Sequence, residues 1–204
     1  MLRVGRANPT WIAFSGGAAV TAGVIGGRDI RSCVVSSGAV SAELVARATE
    51  KGSANDLASL SAMVAEFGAE TLRPVVRENL IEIIFQLLLP SREPFIFAES
   101  AAELVHSELT FDTGEILLAA ESRARQWTII AETVTSVDLV FRPRRQLVAD
   151  MGMITLTPRE WEVLSVLDGR RNVGQVIAAV GRSPFEVCSA LHAMLSAALL
   201  ERMG

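Results

Sequence analysis

The spacing of hydrophobic and polar positions changes twice along the chain. Short apolar runs at Leu2–Val4, Thr10–Phe14 and Ala19–Ile25 are divided by Gly5–Pro9 and by Ser15-Gly16-Gly17, and Gly26-Gly27 closes the third. This is the signature of an antiparallel meander with glycine turns, and Arg31–Ser36 reads as one more strand. From Ala42 the period lengthens to that of a helix. Ala42, Leu44 and Val45 oppose Glu43, Arg47 and Glu50, and Gly52-Ser53 interrupts the segment. Asn55 then caps a helix carrying Leu57, Leu60, Met63, Val64 and Phe67, which Gly68 ends. The most apolar stretch follows, Asn79–Leu89, with Thr71 as its cap and Pro74 in its first turn. Leu80, Ile83, Ile84, Leu87 and Leu88 share one face, with Glu82 and Gln86 beside it. Pro90 stops this helix, and Pro94 opens a strand at Phe95–Phe97. So apolar a helix needs a cover and so short a strand needs a neighbour, so the first domain is organised around Asn79–Phe97.

Downstream, Ala101–Leu109 is a short helix or turn containing His106, and Thr113 precedes a long helix running through Val134. Ile116, Leu117, Ala120, Ala124, Trp127, Ile130 and Ala131 trace its buried side. Glu115, Glu121, Arg123, Arg125 and Glu132 face water, with Glu121 and Arg125 at pairing distance. Val137–Phe141 is extended. Met153–Leu156 then reads as a strand before Thr157-Pro158-Arg159-Glu160, a complete helix start with cap, proline and box-closing glutamate. Trp161, Leu164 and Leu167 line that helix, and Asp168-Gly169 ends it. Val173–Val180 is a second helix, stopped by Gly181. Ser183-Pro184-Phe185-Glu186 repeats the helix start for a third, which buries Val187, Cys188, Leu191, Leu195 and Leu199. A final strand follows at Leu199–Met203. The sequence therefore predicts an α+β protein: a small antiparallel sheet packed with helices over residues 1–148, then a compact helical winged-helix-like domain over 149–204.

Composition narrows the chemistry. Half of the 204 residues are hydrophobic and the formal charge is -4, so the overall field does not draw the chain to nucleic acid or anionic lipid. The longest apolar runs, Ile81–Leu89 and Leu195–Leu200, are too short to span a bilayer. Arg3 and Arg6 are not followed by an uninterrupted apolar stretch. Cys33 and Cys188 lie in apolar or small-residue surroundings and read as buried free thiols of a reducing cytosol. The chain is accordingly placed in the cytoplasm, away from membranes.

No pattern assigns a catalytic, cofactor or metal residue. The glycine pairs fit neither Gly-x-x-x-x-Gly-Lys-Ser/Thr nor Gly-x-Gly-x-x-Gly. His106 stands near Glu103 and Glu108 without a second His or a Cys at ligand spacing. The chain has two histidines, and neither joins a nucleophile and an acid in a recognisable grouping. The one dense basic cluster is Phe141-Arg142-Pro143-Arg144-Arg145. With Arg182 it supplies the candidate contacts, Arg142, Arg144, Arg145 and Arg182, to a nucleic acid or a protein partner. From Met151 onward there are five Lys/Arg against five Asp/Glu. The outward positions of the third helix, Glu186, Ser189, Ala190, His192, Ala193, Ser196 and Ala197, lack the Arg, Lys, Asn or Gln that read base edges.

Three stretches carry a family resemblance: Thr157-Pro158-Arg159-Glu160-Trp161, Val166-Leu167-Asp168-Gly169-Arg170-Arg171-Asn172-Val173 and Gly181-Arg182-Ser183-Pro184-Phe185-Glu186-Val187. They resemble the C-terminal winged-helix-like unit of bacterial, mainly actinobacterial, proteins with a DUF4388 (PATAN-like) domain. Trp11–Val24, Leu80–Leu89 and Pro94–Phe97 match the hairpin, Leu/Phe-rich helix and aromatic strand that precede it in that family. Typical members begin with a helix ahead of the hairpin, whereas this chain starts at Leu2–Val4. The resemblance implies a non-enzymatic signalling or adaptor protein that binds protein partners such as receiver domains, with no catalytic residues to carry over. A winged-helix DNA-binding regulator is the alternative. A homodimer is also expected, because Leu2–Val4 has no preceding element to cover its edge.

Overall fold

The computed structural model describes residues 2–4, 10–24, 28–50, 56–89, 95–97, 109–144 and 154–203. The Gly5–Pro9 connection, Gly26-Gly27, Gly52-Ser53, the Asn55 cap, Pro90, Pro94, the segment with Glu103, His106 and Glu108, Arg145 and Met153 lie outside the described residues. The fold is α+β. It divides into two compact units, residues 1–124 and 125–204.

In the first unit, strands β1 (Leu2–Val4), β2 (Thr10–Ser15), β3 (Ala18–Val24) and β4 (Phe95–Phe97) form a sheet in the order β3-β2-β1-β4. Every pairing is antiparallel. Gly16 and Gly17 make the β2–β3 turn with φ of 56° and 85°, a backbone region in which a side chain is strained. Trp11 stands opposite Gly23, and a Cβ there would lie 2.8 Å from the indole. Glycine at 23 is thus what lets the ring lie across β3. Leu2–Val4 is not the open edge its sequence suggests. It pairs with β2 on one side and β4 on the other, so the edge argument for a homodimer does not apply to it.

The fourth strand is likewise not Arg31–Ser36. That stretch is helix α1 (Ile30–Ser36), because Asp29 accepts the Ser32 N–H at 2.8 Å and caps it. Its β-branched residues serve the helix by burying Ile30 and Val34. Helix α2 (Ala42–Thr49) is capped by Ser41. Helices α3 (Asp56–Phe67) and α4 (Ala69–Leu88) follow; α1 packs on α2, α3 and α4, and α4 packs on β3. The start of α4 also differs from expectation. Gly68, at φ 81°, precedes the helix, Pro74 lies within it, and the Thr71 hydroxyl donates backwards to the Phe67 carbonyl at 2.9 Å. Leu80, Ile81, Glu82, Ile83, Ile84 and Phe85 are all buried, so this helix is covered on more than one face, while Leu88 is exposed.

Helix α5 (Thr113–Thr133) starts where Asp112 accepts the Glu115 N–H at 2.8 Å, and the division between the units falls within it. Ile116, Ala120 and Ile130 are buried, but Leu117, expected inside, is exposed. In the second unit, β5 (Phe141–Pro143) pairs antiparallel with β6 (Leu200–Arg202). Between them come α6 (Pro158–Val166), α7 (Val173–Val180) and α8 (Pro184–Ser196). Ile154–Leu156 is not a strand; the fully buried Phe141 anchors the partner of β6 instead. The pairing takes residues 141–143, read from sequence as preceding a boundary at 148, into the second unit. Phe141, Val163, Val176, Leu191, Met194 and Leu200 make its core. Leu195 is only half-buried, and Trp161 is 63% exposed because α6 turns Val163 inward in its place.

Three capping boxes define this unit. At Thr157 the side chain accepts the Glu160 N–H, and Glu160 accepts the Thr157 N–H at 2.7 Å. Ser183 and Glu186 repeat the arrangement, as do Asn172 and Gln175. Thr157→Ala, Asn172→Ala and Ser183→Ala should each lower stability by about 0.5–2 kcal/mol. Unchanged urea midpoints for all three would contradict the caps.

Candidate interaction surface

Arg142 lies on β5 opposite Glu201 of β6, and its Nε donates to that carboxylate at 2.5 Å. Arg144 follows β5; its N–H donates to the Leu199 carbonyl and its Nε to the Leu200 carbonyl at 3.2 Å. Arg182 sits in the turn between α7 and α8 and grips Glu162 of α6 with two nitrogens, at 3.1 and 3.2 Å. The structure therefore gathers Arg142 and Arg144 on the two-stranded sheet and holds Arg182 on α6. All three are occupied by acceptors of their own unit. A phosphate would have to compete with carboxylates already seated in two of them.

From the sequence Glu186 is a box-closing residue at an outward position of α8. The structure buries it, together with Ala190. One Glu186 oxygen accepts the Ser183 N–H at 3.1 Å, and the other stands 3.0 Å from Arg159 of α6. The ion pair thereby joins the first turns of α6 and α8. Spacing alone did not reveal this, because the partner lies in another helix. The outward positions that remain on α8 are small or mildly polar. Ala193, Ser196 and Ala197 are exposed, Ser189 is half-buried, and His192 Nδ1 lies 3.0 Å from Thr133 Oγ1. No Lys or Arg occurs anywhere in α8.

Asp168 organises the turn after α6. The backbone N–H groups of Arg171 and Arg170 both donate to it at 2.9 Å and hold its carboxyl below the usual range. Gly169, at φ 73°, completes that turn.

The first unit carries an open groove of about 610 Å³ between α1 and α2, lined among others by Asp29, Arg31, Val35, Val45, Thr49 and Glu50. Burial pushes the Asp29 carboxyl up. The hydrogen bonds from Ser32 and the charge of Arg31 outweigh that effect and leave it below the ordinary value. Asp29 is thus an ionised cap, bonded to Ser32 and to Arg31 at 2.6 Å, not a proton donor or acceptor poised at neutral pH. Cys33 is half-buried, with its thiol 3.6 Å from Asn79 Oδ1, and Cys188 is buried. Among the described residues there is no cluster of three or more His, Cys, Asp or Glu that would hold a metal ion. Among them also, no helix is long and apolar enough to cross a membrane.

No family model, curated protein or solved structure matches this chain.

Proposed function

We propose that the protein is a non-enzymatic signalling or adaptor component of the cytoplasm that works through protein–protein contacts. In this reading it is a DUF4388/PATAN-like domain followed by a winged-helix-like unit. The observation that carries the reading is the state of the basic residues. Arg142 and Arg182 are each bound to a carboxylate of their own unit, and α8, the helix that would enter a DNA groove, brings no cation. Sequence-specific DNA binding rests on several phosphate contacts and on side chains that reach base edges. A small-residue face such as Ala193, Ser196 and Ala197 suits close approach by another protein. The winged-helix-like order of β5, three helices and β6 supports a DNA-binding regulator as the second reading.

One experiment separates the two. The purified full chain is titrated by fluorescence anisotropy against fragmented DNA from its native genome at two salt concentrations. In parallel it is used to capture partners from nuclease-treated native extract. We expect no DNA binding beyond that of a generic protein of this charge, and partner proteins retained in stoichiometric amount after nuclease treatment. Submicromolar, sequence-selective binding with a steep salt slope, lost when Arg142, Arg144 and Arg145 are changed to serine, would establish the regulator instead.

A further inference from the structure

Helix α5 is two-sided. Ile116, Ala120 and Ile130 are buried, while Leu118 is 65% exposed and Ile129 58% exposed. Leu118, Ser122, Arg125 and Ile129 recur at spacings of four, three and four, so they form a single outward stripe opposite the buried one. That alternation is the spacing of a helix–helix seam. The stripe reads almost the same in either direction: an apolar residue at each end and polar residues between, with Glu121 beside Arg125. This arrangement is complementary to itself.

We propose that α5 is the contact of a homodimer, packed antiparallel against α5 of a second copy about a two-fold axis at the level between residues 123 and 124. Leu118 of each copy then lies opposite Ile129 of the other, and Ser122 opposite Arg125. Glu121 comes within about one residue rise, ~1.5 Å along the axis, of the level of the other copy's Arg125. A two-fold axis places the same patch on both copies, as an isologous interface requires. Charge selects the direction. In a parallel pair Arg125 would meet Arg125 and the like charges would repel, whereas the antiparallel pair sets each guanidinium beside a carboxylate. The apolar ends supply the burial, and the polar centre fixes the register. A single helix pair belongs with interfaces below about 1,200 Å², which form weak complexes, so the dimer is expected at tens of micromolar and above.

Sedimentation equilibrium of the full chain tests the association, and cysteine cross-linking tests the geometry. We expect a reversible monomer–dimer equilibrium. Leu118→Glu or Ile129→Glu should raise the dissociation constant at least tenfold. Arg125→Glu should do likewise, and Glu121→Arg/Arg125→Glu together should restore most of the affinity. Leu118→Cys/Ile129→Cys should give a covalent dimer on mild oxidation. Each cysteine alone should not, because residues 118 of the two copies would be about 16 Å apart along the axis. Both positions are exposed, so circular dichroism should be unchanged; if a charged variant loses its helical signal, the cysteine pair decides alone. A wild-type chain that stays monomeric at 200 µM would overturn the proposal. So would a dimer that the charge substitutions leave intact, or one that cross-links through Leu118→Cys alone.

Discussion

Replacing Arg123 by alanine is expected to destabilise the protein by about 3–5 kcal/mol at neutral pH, the usual consequence of leaving a buried carboxylate without its cation. Arg123 of α5 reaches Glu82 of α4 at 2.9 Å and Glu78 at 2.6 Å, and Gln86 donates to the other Glu82 oxygen at 3.1 Å. Burial is the largest influence on the Glu82 carboxyl and raises its pKa; Gln86 and Arg123 lower it without cancelling the rise. A carboxyl raised in the folded state stabilises the fold below its unfolded pKa, and that contribution fades as pH climbs through the folded pKa. Without Arg123 the carboxyl rises further. The deficit of Arg123→Ala should therefore be largest at pH 7 and shrink toward pH 5, and Glu82→Gln added to it should recover part of the loss. Urea midpoints at the two pH values provide the check. A deficit that is small or independent of pH would mean that the cluster is not the clamp between α4 and α5.

The second large effect is expected at Glu186. Its carboxylate closes the box at Ser183, lies in the first turn of α8 and pairs with Arg159. Glu186→Ala removes all three contributions and leaves a buried backbone donor unsatisfied, for a total of about 2–3 kcal/mol. Glu186→Gln keeps the box and loses the ion pair together with the negative charge in the first turn. Because Arg159 is half-exposed, that substitution should cost less than about 1 kcal/mol. Paired denaturation curves for the two variants, with Arg159→Ala as the third corner of a double-mutant cycle, separate the contributions. Equal losses for alanine and glutamine would show that the ion pair, not the capping box, dominates.

These two residues also show where sequence reasoning reached and where it stopped. The boxes at Thr157 and Ser183 were legible because capping is local: donor, acceptor and proline lie within four positions. The same spacing recurs at Asn172 and Gln175, where the polar residues of the turn obscure it. Arg31–Ser36 reads as a strand because its β-branched residues favour one, whereas Asp29, the cap two positions before Arg31, decides for a helix. Spacing puts Trp161 on one face with Leu164 and Leu167; the helical phase is set by Val163 and leaves the indole in solvent. The Glu82–Arg123 pair, 41 positions apart, and the bond from Arg159 to Glu186 were out of reach, since no local period encodes which helix lies alongside. The candidate arginines were legible as a cluster. That Glu201 and Glu162 already hold two of them depended on the β5–β6 register and on where α6 lies beside Arg182.

The order β3-β2-β1-β4 has a consequence for how the sheet assembles. Strands β2 and β3 meet across a two-residue turn, but Leu2 finds its second partner at Phe97. Loop-closure entropy grows as the logarithm of the enclosed length, so the β1–β4 pairing costs on the order of 3 kcal/mol more to close than the hairpin. The hairpin can nucleate unaided, whereas the outer pairing must wait for α1–α4 to shorten the path between its ends. Three strands are therefore local property of the first two dozen residues, and the fourth is the step that registers completion of the whole helical layer.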